Sequence, residues 1–213
     1  MTTIQAVVLD IGNVLIAWQP EKFYDRVIGK TRRQDMFAQV DLHGMNELVD
    51  LGHEFKSTIY ETADRYPAWR DEIRLWHDRW IEMAQPAIQP TVALLRVLRG
   101  NGIPVFALSN FGIGSFAYAR SIYQFLDEFD QYFISGHLGV TKPDQTIYQH
   151  VEQDSGLTGS ALLFADDRLD NIQAAAQRGW RTHHFSDPHK FAGILRDEGL
   201  ISAQSIQQID FAL

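Results

Sequence analysis

The chain alternates between short, wholly apolar runs and longer stretches in which apolar residues recur at helical spacing. Ala6-Val7-Val8-Leu9 is the first such run, partly β-branched and stopped by Asp10. An unbroken apolar run of this length reads as a strand buried on both faces, as in a parallel sheet, whereas a half-exposed strand would alternate. Strand-like runs return at residues 103–108, 132–134 and 161–165, and a more polar one at 180–183. Segments of helical length separate these runs, and such alternation builds βαβ units. The predicted fold class is therefore α/β, a Rossmann-like core with a mostly parallel sheet flanked by helices.

Three connecting helices carry their own punctuation. One runs from Pro90 through Leu94, Leu95 and Leu98 to a stop at Gly100-Asn101-Gly102. A second opens at Pro143 with Asp144 in its first turn, buries Ile147, Tyr148 and Val151, and ends near Gly156. A third extends from Leu169 to Arg178, ahead of Gly179. Proline at a helix start, an acid in the first turn and glycine past the end are the expected signals.

Residues 18–85 behave differently. Phe55, Ile59 and Ala63, then Ile73, Trp76 and Trp80, recur at helical period, and no strand pattern is visible. The spacing predicts an all-helical insert over residues 18–86 within a core made of residues 1–17 and 87–213. Gln19-Pro20 and Gln85-Pro86, followed by Pro90, read as hinge linkers, because proline restricts both itself and the residue before it.

At 213 residues, 45% apolar and 22% charged, the chain has the makings of a sizeable core and lacks the composition of a disordered one. With no cysteine, disulfides, zinc-thiolate sites and thiol nucleophiles are excluded, so any metal must sit on oxygen or imidazole ligands. A net charge of −8 without a lysine or arginine cluster argues against nucleic acid or an anionic membrane as partner. The opening Met1-Thr2-Thr3 has no basic region, and Asp10 interrupts the first apolar run, so a cytoplasmic location is expected. No pattern indicates an oligomeric state.

Polar clusters follow four of the predicted strands: Asp10-Ile11-Gly12-Asn13, Ser109-Asn110, Lys142-Pro143 and Asp166-Asp167. Taken singly, each is ordinary turn or helix-cap chemistry, and a lone lysine is ordinary surface. Together they converge, because the carboxyl ends of strands in an open α/β sheet meet at one crevice.

The strings VVLDIGNVL, FALSN, GVTKPDQTIY and LLFADDRLDNIQAAAQRG resemble, in order and spacing, the four motifs of the haloacid dehalogenase superfamily. The D-x-G-N-V form of the first, with KPDQTIYQHV and FADDRLDNI, looks like the branch that contains glucose-1-phosphate phosphatase. The resemblance implies a magnesium-dependent phosphatase in which Asp10 takes the phosphoryl group of a small phosphorylated metabolite, a sugar phosphate among the options. It also implies a helical cap closing over the site and a metal-ligating carbonyl at Gly12.

Elementary chemistry supports the same assignment. A carboxylate attacks phosphorus once a divalent cation neutralises both partners, and Asp10 with Asp166 can hold that cation. Ser109, Asn110, the turn amides near Ile11 and Gly12, and Lys142 are the expected phosphate grips. Asp167 is expected to orient Lys142 or a water rather than to bind metal, since adjacent side chains seldom reach one ion. Asn171 is expected to support this pair. In the insert, His43, Asn46, Glu47, His53, Trp76, Arg79 and Trp80 can face a substrate, although tryptophans at helical spacing read first as core. The loop from His43 to Glu47 is the expected specificity element.

One departure from the family pattern stands out. Most of its phosphatases carry a second aspartate two positions after the nucleophile, as general acid and base, and here that position is Gly12. Such a group contributes about 10²- to 10⁴-fold, so its work must be slowed or moved elsewhere. A 2-haloacid dehalogenase also lacks it and needs no metal, but Asp166-Asp167 would repel a carboxylate substrate. A catalytically silent phosphate-binding module is the remaining alternative.

Overall fold

Three strands buried along their whole length lie at the centre of the computed structural model, which describes residues 3–211. The ends of the expected core, Met1-Thr2 and Ala212-Leu213, lie outside the described residues. In chain order the strands are β1 (Ala6–Leu9), β2 (Ile16–Trp18), β3 (Ala84–Ala87), β4 (Val105–Ser109), β5 (Gln131–Ile134), β6 (Leu162–Asp166) and β7 (Arg181–His184). Five of them form one parallel sheet in the order β5-β4-β1-β6-β7, with β1 at its centre.

The helices are α1 (Pro20–Val27), α2 (Lys30–Gln39), α3 (Leu42–Asp50), α4 (Phe55–Arg65), α5 (Arg70–Asp78), α6 (Gln89–Gly100), α7 (Ile113–Ile122), α8 (Ser135–Leu138), α9 (Gln145–Ser155), α10 (Leu169–Gln177), α11 (Pro188–Asp197) and α12 (Ala203–Gln207). The alternation of side chains along β1 explains why its run is apolar throughout. Val7 and Leu9 join the layer of Leu94, Leu95 and Leu98 on α6 and Phe191 and Leu195 on α11. Ala6 and Val8 join the opposite layer, with Ile147, Tyr148 and Val151 on α9 and Ile172 and Ala175 on α10. The helix signals operate as expected with one shift: Asp144 caps α9 from outside by accepting from the Thr146 amide at 2.7 Å, and Gly156 closes it at φ 69°.

Residues 18–86 hold five α-helices, α1 to α5, but the segment is not purely helical. Its two crossings to the sheet form an antiparallel ribbon, with Ile16 opposite Ala87 and Trp18 opposite Ala84. The ribbon continues outward, since Gln19 N–H donates to Met83 O at 2.7 Å and Ile88 N–H to Leu15 O at 2.7 Å. Of the expected proline hinges, Gln85-Pro86 thus lies within a hydrogen-bonded ribbon and Gln19-Pro20 at its outer end. Strands of three and four residues, one containing Gln85-Pro86, are too short and too polar to show a period, and Pro86 is tolerated because the ribbon has only edges.

The apolar layer containing Val7 and Leu9 runs without a break into Phe23, Tyr24, Met36, Ile59 and Trp76 of the insert. Backbone also meets backbone there. A β-carbon at Gly52 would lie 2.6 Å from the Gly136 carbonyl, and one at Gly112 would lie 2.4 Å from a Val49 methyl. Only glycine permits so close an approach. No helix among the described residues is long and apolar enough to cross a membrane.

Leu98 is fully buried on α6, whereas Leu169 at the start of α10 is 53% exposed. Leu98→Ala is expected to lower stability by about 2–5 kcal/mol and Leu169→Ala by less than about 0.5 kcal/mol, read from urea midpoints at unchanged slope.

Candidate active site

The parallel register brings three strand ends to one edge. Asp10 follows β1, while Ser109 and Asp166 are the last residues of β4 and β6. Into their midst comes Lys142, from the loop between α8 and α9, with 4% of its surface exposed. Its ammonium lies 3.0 Å from Asp10 Oδ1, 2.6 Å from Asp166 Oδ2 and 2.8 Å from Leu108 O, one acceptor for each of its three protons. Burial alone would lower its pKa, but Asp10 and Asp166 outweigh that and hold it above the ordinary lysine value.

The same enclosure acts in reverse on Asp10. Burial pushes its carboxyl up to about 7, Lys142 opposes the rise, the Asp166 charge adds to it, and the hydrogen bond with Ser109 again opposes it. Asp166 is the most heavily solvated by protein. It accepts from Lys142, from the Arg168 amide at 2.7 Å and from Asn171 Nδ2 at 3.0 Å to each oxygen. The expected support from Asn171 is therefore a direct bond to Asp166.

Asp167 does not orient Lys142. It accepts from Asn13 Nδ2 at 2.8 Å, and Asn13 in turn accepts from the Trp18 amide at 2.9 Å. Asn13 sits at φ 53°, a left-handed conformation that asparagine tolerates, and so turns back across its own loop. Nor are the adjacent acids kept apart: Asp10, Asp166 and Asp167 each present an oxygen within 4.8 Å of the others. Three carboxylates around one ammonium leave net negative charge, and hard oxygen donors of this kind suit magnesium. No backbone bond of the loop ends on the Gly12 carbonyl, which adds a fourth available oxygen. The residues present thus fit the cation.

Asn110 has a further task beyond the expected one: its side chain donates to Lys142 O at 2.9 Å and accepts from Lys142 N–H at 2.7 Å, so it positions the lysine backbone and leaves one N–H of its amide over. The Ile11 amide likewise already donates to Asp10 Oδ1 at 2.7 Å. The Gly12 amide has no hydrogen-bond acceptor among the described residues, whereas the Lys142 ammonium is already directed at Asp10, Asp166 and Leu108 O.

Above this edge lies a cavity of about 720 Å³, roofed by the insert. Its lining includes Asp10, Gly12, Ser109 and Lys142 below, and His43, Asn46, Glu47 and Asp50 above. The last four belong to α3, so the expected loop is a helix, capped by Asp41, which accepts from the Gly44 amide at 2.8 Å. His43 lies 3.5 Å from Glu21 at the exposed rim, and Asn46 accepts from Trp76 Nε1 at 3.1 Å. Trp76 and Trp80 are both core and cavity wall, joined by Trp18 and Phe111. His53 and Arg79 are not in the lining; Arg79 pairs with Glu82 at 2.6 Å.

Sequence reasoning passed over Asp50. Asn46 Nδ2 donates to it at 2.9 Å, and burial, followed by the charges of Asp10 and Glu47, pushes its carboxyl up to about 7, against the Gly112 amide and Asn46. As a single acid at a helix end it had no signal of its own. Asn13 stood within the first cluster but had no assigned partner.

Comparison with known proteins places these features in context. The chain is 28% identical over 189 residues to the sesquiterpene phosphatase astK of Aspergillus oryzae (strain ATCC 42149 / RIB 40), covering 87% of this chain and 92% of that protein. It is 22% identical over 185 residues to the drimenol cyclase drtB of Aspergillus calidoustus, covering 84% of this chain but 33% of that one. Among solved structures, the magnesium complex of the HAD family enzyme bt-2542 from Bacteroides thetaiotaomicron superposes with a TM-score of 0.71 at 20% identity, over 92% of this chain and 100% of that one. The L-2-haloacid dehalogenase of Xanthobacter autotrophicus superposes with a TM-score of 0.59 at 18% identity, over 96% and 86%. The family model for haloacid dehalogenase-like hydrolases matches residues 4–179, a span that holds every carboxylate, the lysine and the insert described above, and the chain belongs to that family.

Proposed function

We propose that this hydrolase is a magnesium-dependent phosphomonoesterase that passes the phosphoryl group through Asp10. The observation that carries the reading is the trio of carboxylates, Asp10, Asp166 and Asp167, gathered within 4.8 Å of one another beside Lys142. Asp10, Asp166, the Gly12 carbonyl and Asp167 are the groups that would hold the cation. Bound there, magnesium would offset the repulsion between a carboxylate nucleophile and an anionic phosphate.

The chain's own groups do the rest. Asp10 attacks phosphorus, the P–O bond to the organic group breaks, and that group leaves as an alcohol once protonated. Water then attacks the aspartyl phosphate, releasing inorganic phosphate and restoring the carboxylate. Ser109 and the Gly12 amide hold the phosphate oxygens as charge shifts among them, with the Lys142 charge beside them, while Asn110 holds the Lys142 backbone in place. The relationship to a sesquiterpene phosphatase supports this reading over dehalogenation. So does the acidic trio, which would repel a haloacid carboxylate in the absence of a cation.

We assign an apolar organic group to the substrate. Trp18 stands 5.8 Å from Trp76 and 5.9 Å from Trp80, and Trp80 stands 5.6 Å from Phe111, giving a continuous aromatic wall. Trp18 is the half-buried member of this wall and is the ring that an isoprenoid chain would meet first. The polar residues His43, Asn46 and Glu47 in the same lining favour the second reading, a sugar phosphate.

Hydrolysis of farnesyl monophosphate and glucose 1-phosphate is to be compared in magnesium. A higher kcat/KM for the sugar ester would transfer the assignment to the polar wall. Activity is expected to vanish in EDTA and return with magnesium, and halide release from 2-chloropropionate in EDTA would instead identify a dehalogenase. Asp10→Asn is expected to abolish turnover with no change in thermal midpoint large enough to explain it, and residual activity within tenfold of wild type would place the nucleophile elsewhere. Lys142→Ala is expected to weaken both turnover and inhibition by inorganic phosphate, because one cation serves both, and unchanged phosphate inhibition would remove Lys142 from the phosphate site.

A further inference from the structure

Position 12 carries no carboxylate, yet an alcohol leaving group needs a proton and the later water must lose one. Each candidate in the cavity can be weighed by its place. His43 is at the rim, 60% exposed at its side chain and drawn towards Glu21. Glu47 is exposed on α3. Lys142 is saturated by Asp10, Asp166 and Leu108 O and holds its proton tightly. Asp167 is anchored by Asn13 and belongs to the acidic trio.

Asp50 differs from all of these. It is the last residue of α3, where the insert meets the sheet edge, and its side chain lines the cavity together with Asp10 and Gly12. Asn46 donates to its Oδ2 at 2.9 Å, and the Gly112 amide, three residues beyond Ser109, is near enough to oppose the rise of its carboxyl. Its own carbonyl accepts from Ser135 Oγ at 2.6 Å, so backbone and side chain are both held. No hydrogen bond or ion pair joins it to a basic side chain among the described residues, and it senses the Asp10 charge directly.

We propose that Asp50 is the proton carrier of the reaction: a carboxyl supplied by the insert that protonates the departing alcohol and then takes a proton from the attacking water. The inference rests on the phosphatase reading. The fixed position gives the group a constant orientation towards the nucleophile, which a rim side chain lacks. A carboxyl poised near 7 exchanges protons in both directions at neutral pH, and here burial sets that value, with Asp10 and Glu47 adding to it. Because the group is the last residue of α3, the proton donor is built into the roof of the cavity. Aliphatic phosphate esters, whose alcohols leave poorly, then depend on it most.

The test uses two esters, 4-nitrophenyl phosphate and an alkyl phosphate, with magnesium. Asp50→Asn is expected to lower kcat for the alkyl ester by about 10²-fold or more and for the nitrophenyl ester by a much smaller factor, steepening the dependence of rate on leaving-group acidity. The second variant returns a carboxylate to position 12, where an added β-carbon meets nothing within 4 Å and the backbone is not left-handed. Gly12→Asp in the Asp50→Asn background is expected to recover most of the alkyl activity, which no repair of a merely structural fault would do. Equal losses on both esters, no loss on either, or a selective loss that Gly12→Asp leaves unrelieved would each overturn the assignment. A wild-type protein that hydrolyses neither ester would sink the phosphatase reading, and this proposal with it. One that hydrolyses both while Asp50→Asn loses both equally would sink Asp50 alone.

Discussion

A single buried ammonium organises the molecule's working edge. Removing a lysine and two carboxylates from water is expensive, and the cost is offset only when geometry is good and every donor is met. Lys142 satisfies that condition through Asp10, Asp166 and the Leu108 carbonyl. The condition propagates outward. It requires β1, β4 and β6 to end level with one another, which their parallel registers provide, and it requires the Lys142 backbone to be held from the far side of the crevice, which Asn110 provides. Asp167, admitted beside this cluster through Asn13, adds to a charge that is already negative and makes a divalent cation the natural complement.

How much of this can be read from residues alone depends on what decides each feature. The strand at Ala6–Leu9 was legible because burial on both faces leaves no room for a polar residue, and the helices around it because caps and glycine stops act locally. The ribbon of Ile16–Trp18 and Ala84–Ala87 was not, because each strand is short and its partner lies almost seventy positions away in the chain. Helix α3 was hidden by Gly44 near its start and by the exposed polar residues that surround its few buried ones.

The site shows the same division. Asp10, Ser109, Lys142 and Asp166 announce themselves through their position after strands, and the structure gathers them at one edge. Their partners are another matter. That Asn110 would turn to a backbone 32 residues on, or Asp167 to Asn13, follows from how loops meet, and no local pattern encodes it. Asp50 is the extreme case: an unremarked acid in sequence, whose surroundings come from Asn46, Gly112 and Ser135 on three separate elements.

The close approach at Gly52 and Gly112 has a consequence for how such a protein can diverge. Where two parts of a molecule meet through side chains, each substitution at the seam shifts one part against the other. Here main chain rests against main chain and a Val49 methyl, leaving no side chain at either glycine to vary. The outward residues of α3 can therefore be exchanged freely while the helix keeps its station over Asp10. Selection can redraw the ligand preference of the roof one residue at a time at the exposed His43 and Glu47, leaving Asn46, Asp50 and the chemistry beneath them undisturbed, so long as the two glycines stay bare.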